Sequence, residues 1–261
     1  MLRYFFGIGA MLCIVWSEAW ADAAKPLTCQ AFTGRFIQLT TSAGRPFEIY
    51  TTGPGSSGTG ILLLSGGRGL NAPVLRWADR LGAQNYRVEV VNFRPAHHGN
   101  DKSRLSAHAV IAREVAAIDF LSAPGRKVVT LGWGPRGARQ AFEASAVAAD
   151  RVAGTILCGG GLSVPNALMA KTKSLVLLIA FSPSMPPAQI RNFAVRMRML
   201  GRPLFVQTYA TSLQSVDPEG PGYDSPTAQA IWQRTRAFLA RVDGLCRRCA
   251  PYRNYLFDYR N

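Results

Sequence analysis

Runs of four to eight mostly apolar residues alternate along the chain with stretches whose apolar positions recur every three or four residues. The first pattern predicts buried strands and the second amphipathic helices. Residues 35–40 and 47–51, on either side of the turn Ser42-Ala43-Gly44, predict two short strands. From residue 61 the two patterns take turns. Strands are predicted at 61–64, 86–93, 127–131, 152–157, 174–180 and 203–209. Helices are predicted at 103–121, 138–149, 188–200 and 226–242, with a further one opening near Asn71. Asn71 has a side chain suited to capping that helix, and Pro73 suits its first turn. Glycine-rich turns are expected at 65–69, 132–137 and 159–161, and a long loop at 211–224. The alternation predicts an α/β domain of three layers, a mostly parallel sheet with helices on both faces. The two opening strands are expected to pair antiparallel at one edge.

The segment ahead of this domain has another character. Arg3, an apolar run at 5–16 and the small-x-small triplet Ala19-Trp20-Ala21 follow the order of a secretory signal. Residues 1–21 are therefore expected to be removed, leaving 22–261 as one periplasmic or secreted domain with a tail at 251–261. The apolar run is shorter than the roughly 20 residues of a membrane span, so no span is expected after signal removal. Export permits disulfides. Cys29 precedes the first strand, and Cys246 and Cys249 follow the last helix, so these three are the disulfide candidates, with their pairing open. Cys158 falls in an apolar strand and is expected to be a buried thiol.

Charge narrows the partners. Lys and Arg number 30 against 15 Asp and Glu, a formal net charge of +15. A field of that sign draws anions. For an exported protein the expected partner is an acidic ligand, an acidic envelope component or an acidic protein, and not nucleic acid. His97 and His98 are adjacent, so their side chains diverge, and only Asp101 stands at a plausible ligand interval. Zinc usually takes four ligands, so neither metal nor cofactor is expected.

Five segments, in order, carry a resemblance. They are Gly60 to Leu70 (GILLLSGGRGL), Trp77 to Gly82 with Tyr86-Arg87-Val88, Leu131 to Gly137 (LGWGPRG), Ser182-Pro183 to Pro187, and Tyr209 to Asp217. Together they resemble the dienelactone hydrolase branch of the α/β-hydrolases. That resemblance implies a three-layer α/β-hydrolase-like sandwich over most of the mature chain. It also implies where a nucleophile, an acid and a histidine would stand. The nucleophile position falls on Gly134, the acid on Ser182 and the histidine near Gln214, within a residue or two. The residue that would donate its N–H to an oxyanion is Pro135, which has none. Arg136 replaces a family glycine, while Gly137 matches. No histidine follows His108.

The resemblance therefore implies a hydrolase fold without the hydrolase's own nucleophilic machinery. A crevice is expected at the carboxyl ends of the strands. Its candidate ligand-binding residues are Ser65, Gly66, Gly67, Arg68, Arg94, His97, His98, Trp133 and Arg136, with Phe181 nearby. Arginine there would favour carboxylate or phosphate. The alternative is an esterase of the same branch with a non-standard nucleophile, Ser65 or Cys158.

Overall fold

A computed structural model describes residues 32–66, 70–93, 105–122, 125–160, 162–220 and 222–244. The signal at 1–21, the disulfide candidates Cys29, Cys246 and Cys249, the cleft candidates Gly67, Arg68, Arg94, His97 and His98, and the tail at 251–261 lie outside the described residues.

Eight strands form one sheet in the order β1-β2-β4-β3-β5-β6-β7-β8. They are β1 (Arg35–Thr40), β2 (Pro46–Thr52), β3 (Thr59–Leu64), β4 (Arg87–Val91), β5 (Lys127–Trp133), β6 (Val152–Cys158), β7 (Leu175–Phe181) and β8 (Leu204–Tyr209). β1 pairs antiparallel with β2, and β2 antiparallel with β4. The remaining pairs are parallel. The helices are α1 (Ala72–Gly82), α2 (Ala107–Ser122), α3 (Gly134–Val147), α4 (Asn166–Lys171), α5 (Pro187–Met199) and α6 (Ser225–Asp243), with a 3-10 turn at Gln214–Val216. This is the expected three-layer α/β sandwich, with the antiparallel pair at one edge.

The central strands are apolar without a break because helices cover both faces of the sheet. All six residues of β3 are buried. Its side chains alternate between faces. Leu62 and Leu64 join a cluster with Ile118 of α2, Phe142 of α3 and Phe193 of α5. On the opposite face α1 and α6 meet, the rings of Trp77 and Trp232 lying 5.4 Å apart. Burying one such large side chain contributes about 2–3 kcal/mol, so these two layers dominate the fold's stability.

Local signals set several helix ends. Asn71 caps α1, its side chain accepting from the Val74 N–H at 3.1 Å. Asp224 caps α6 through the Thr227 N–H at 3.1 Å, and Gly244 ends that helix in the left-handed region at φ 76°. Elsewhere the pattern misleads. α3 starts at Gly134, four residues before the expected 138, because β5 passes into it with no turn between them. α2 starts at Ala107 and not at 103. α4 was not expected; six residues burying only Met169 leave no periodic trace. The 3-10 turn inside the expected loop at 211–224 is shorter still.

Two carboxyls sit in the packed interior. Glu89 of β4 is wholly buried, and burial raises its pKa to about 8. The Arg87 guanidinium opposes this, but at 3.5 Å it is too distant for a good hydrogen bond, and neither Glu89 oxygen has one. Glu114 of α2 is raised too, by burial first and then by the Glu143 charge. The unfolded chain binds its glutamate protons at an ordinary pKa near 4.5. The native state holds them more tightly, so this contribution is full below pH ~4.5 and is lost as pH rises through about 8. Glu89→Gln removes the ionisation. Urea denaturation across pH 5 to 9 is expected to show a shallower decline for the variant, with a gain of a few kcal/mol above pH ~8. Parallel curves for the two proteins would contradict it.

Candidate functional site: the strand-to-helix turn at Gly134

The turn between β5 and α3 depends on three glycines. Trp133 ends β5 in extended geometry at φ −105°, ψ 122°, and Gly134 then takes φ 74°. An L side chain at such a φ costs about 1–2 kcal/mol; glycine avoids that cost. Gly132 and Gly137 serve contact instead. A Cβ on Gly132 would stand 2.2 Å from the Gly137 carbonyl oxygen. One on Gly137 would stand 2.2 Å from the Leu64 carbonyl oxygen. α3 is therefore pressed against the ends of β5 and β3 with no room for a methyl group.

Gly134 itself is not crowded. A Cβ there would meet only Leu213 Cδ2, at the ordinary distance of 3.7 Å. The backbone presents a side-chain position at the tip of a sharp turn, and the sequence leaves it without a side chain. Pro135 follows in the first turn of α3 and is exposed. No side chain caps the N-terminus of α3, and no acidic residue lies in its first turn. Arg136 is exposed beside it, and a Cβ built on Gly66 would lie 2.7 Å from Arg136 Cβ. The loop after β3 and the start of α3 are thus in close contact, with Ser65 and Gly66 beside Arg136 and Gly137.

Among the described residues, apolar side chains lie nearest the turn. Leu213 Cδ2 would also lie 3.0 Å from a Cβ on Gly159, and a Cβ on Gly160 would meet Met185 Sδ at 3.6 Å and Pro135 Cγ at 3.7 Å. Leu213 precedes the 3-10 turn, whose segment is tethered from two sides. Arg76 of α1 pairs with Asp217 at 2.5 Å and Glu219 at 2.9 Å. The Asp224 N–H donates to the Ser215 carbonyl at 2.7 Å. These bonds hold the segment over the turn.

Several expectations need correction. The histidine position was placed within a residue or two of Gln214; Gln214 itself is exposed, and in that window Leu213 is the side chain that reaches Gly134. An apolar residue inside the polar stretch at 211–224 was the available signal. Trp133 is not a cleft residue: its side chain packs on Trp77 at 5.0 Å on the α1–α6 face, because strand alternation turns it away from Gly134. Phe181 is fully buried beside Tyr209 and offers no cleft surface. Ser182 is half-buried, and its hydroxyl donates to the Tyr209 carbonyl at 3.3 Å, tying the end of β7 to β8. Cys158 is free and buried, and burial pushes its thiol pKa up. That disfavours the thiolate a nucleophile needs. Ser65 is half-buried at the end of β3. Among the described residues no group of His, Cys, Asp or Glu is arranged to hold a metal ion.

No family model matches the chain, and no curated protein does. Solved structures do. A dienelactone hydrolase-like promiscuous phosphotriesterase from metagenomic libraries superposes with a TM-score of 0.64 at 17% identity, over 80% of this chain and 99% of that one. An esterase from Pyrococcus furiosus gives 0.62 at 13% identity, over 81% and 91%. Brefeldin A esterase, a bacterial homologue of human hormone-sensitive lipase, gives 0.63 at 13% identity, over 87% and 81%. The chain thus has the α/β-hydrolase fold. Its structural neighbours include dienelactone hydrolase-like proteins and esterases, consistent with the branch its five sequence segments resemble.

The turn makes a paired expectation. Gly137→Ala drives a methyl into backbone and is expected to cost about 3 kcal/mol or prevent folding. Gly134→Ser places its Cβ in ordinary contact with Leu213 Cδ2 at 3.7 Å and should cost only about 1–2 kcal/mol, for its positive φ. Urea denaturation of both variants checks the order; equal losses would contradict this account of the turn.

Proposed function

We propose that this chain is a non-hydrolytic α/β-hydrolase-fold protein, exported to the periplasm or beyond, that binds an anionic group at the mouth of the crevice around Arg136. The observation that carries the reading is the Gly134-Pro135 turn packed beneath Leu213. Acyl transfer needs a nucleophile, a base within reach of it and N–H donors for the developing oxyanion. Gly134 supplies no nucleophile. Pro135 supplies no N–H, and one such donor can lower the barrier by roughly 3 kcal/mol. Leu213, an aliphatic residue, stands where a base would have to reach.

What remains at the mouth favours negative charge. The N-terminus of α3 presents its positive dipole end without a side-chain cap from Trp133 or an acidic residue in its first turn. Arg136 adds a guanidinium in the same turn, suited to bidentate contact with carboxylate or phosphate. In sequence, Arg68 and Arg94 follow β3 and β4, whose carboxyl ends flank the same crevice. The net charge of +15 steers anions toward the surface as a whole. An acidic small molecule, an acidic envelope component and an acidic protein all satisfy this chemistry.

A second reading, an esterase with an unusual nucleophile, is favoured by the esterases and hydrolase-like proteins that share the fold. Ser65 is its best candidate, half-buried against the start of α3. One experiment separates the two. The purified protein is offered an ester panel and a fluorophosphonate label, then titrated calorimetrically with inorganic phosphate and small carboxylates. The expected outcome is no turnover and no label, with saturable anion binding that weakens about tenfold in Arg136→Ala. Labelling of Ser65, with turnover abolished by Ser65→Ala, would establish the esterase. Anion binding unchanged by Arg136→Ala would remove the proposed site.

A further inference from the structure

A different surface, at the far edge of the sheet, has no role in the reading above. Among the described residues, β8 is the last strand of the sheet and pairs only with β7. An edge strand presents main-chain N–H and C=O groups to any extended chain that approaches it, and proteins usually blunt such edges. Beside this edge, β8 and α6 enclose a groove of about 50 Å3 whose walls are Leu177, Phe205, Ala237 and Phe238. Arg234 and Arg241 line it as well, and the Arg241 guanidinium lies 5.1 Å from the Phe205 ring centroid. α5 leaves Val195 and Met199 exposed, and Val206 of β8, which also lines the groove, is exposed.

Charge on this face has one sign. α5 and the segment through β8, residues 187–209, contain Arg191, Arg196, Arg198 and Arg202 and no Asp or Glu. α6 contains Arg234, Arg236 and Arg241, and its one acidic residue, Asp243, is turned away to accept from Thr59 and Tyr86. Arg196 and Arg202 are used internally, donating to the carbonyls of Val164 and Ala170. Arg191, Arg198, Arg234 and Arg241 reach solvent on either side of the strand.

We infer that the outer edge of β8, with the β8–α6 groove, docks an extended acidic segment of a partner protein. The segment adds a ninth strand to the sheet and seats one apolar side chain in the groove. Its carboxylates on one side meet Arg234 and Arg241, and those on the other meet Arg191 and Arg198. Strand addition draws affinity from main-chain hydrogen bonds and specificity from alternate side chains. Charge complementarity selects the partner. A second copy of this chain would bring the same arginines against one another across a two-fold axis, where like charges repel. A bilayer offers no strand to the edge and no protruding side chain to a groove of this size.

The test uses the full chain and a fluorescent eight-residue peptide of alternating valine and glutamate, with a valine–lysine peptide as its control. Expected are saturable binding of the acidic peptide only and slower amide exchange at residues 204–209. Binding should weaken about tenfold in Arg234→Glu/Arg241→Glu, with the fold checked by circular dichroism. Val206→Pro, which disturbs the edge and leaves the charge intact, should also weaken it; if that variant does not fold, the charge reversal still decides. Arg136→Ala should leave peptide binding unchanged, which separates this surface from the crevice. Equal binding of the lysine peptide, indifference to the charge reversal, or protection elsewhere would overturn the inference. So would a dimer that already covers β8, or affinity for anionic vesicles in place of the acidic peptide.

Discussion

The close approach of α3 to the ends of β5 and β3 organises the rest of the molecule. Contact at Gly132 and Gly137 leaves no space for a methyl group, so the chain must leave the strand and enter the helix within a single residue. That residue, Gly134, is forced to a positive φ. The start of the helix then lies against the loop after β3, with Gly66 beside Arg136. Neighbouring loops arrive around a fixed point. In an α/β-hydrolase fold this strained turn holds a side chain out toward substrate. Here the geometry persists without the side chain, and the space above it is occupied by Leu213. The glycine contacts are a packing requirement whatever the turn goes on to do, so the scaffold and the function it carries are separate questions.

Electrostatics divide between inside and outside. Glu89 and Glu114 are buried carboxyls without a hydrogen-bond partner, and burial holds them toward the neutral form. Exposed arginines gather on α5 and α6, where residues 187–209 and 225–242 include no Asp or Glu. One ion pair has a positional task. Arg76 draws Asp217 and Glu219 onto α1, and with them the segment that carries Leu213. With side chains only 16% exposed, the Arg76–Asp217 pair is less screened than a surface salt bridge. The apolar cover over Gly134 is thus fixed partly by charge at some distance from it.

Much of the fold could be read directly. A helix long enough to repeat its apolar face, such as α6, and a strand buried on both sides, such as β3, leave patterns that survive without tertiary information. The cap at Asn71 was legible because a cap is a local hydrogen bond. The start of α3 was not, since a glycine-proline-arginine-glycine stretch has the composition of a turn and becomes helix only because the sheet is pressed against it. α4 and the 3-10 turn were too short to show a period.

At the turn, the sequence by itself determined which groups are present: covalent structure alone says that Gly134 has no side-chain nucleophile, that Pro135 has no N–H and that no histidine follows His108. Only the tertiary structure decided what occupies the space. Leu213 and not Gln214 faces the turn, Trp133 belongs to the aromatic layer with Trp77, and Phe181 is buried beside Tyr209. The reason is that composition is a property of each residue, whereas direction depends on strand pleat, helix register and distant tethers such as Arg76. Those are set when the layers pack, and a single chain position carries no record of them.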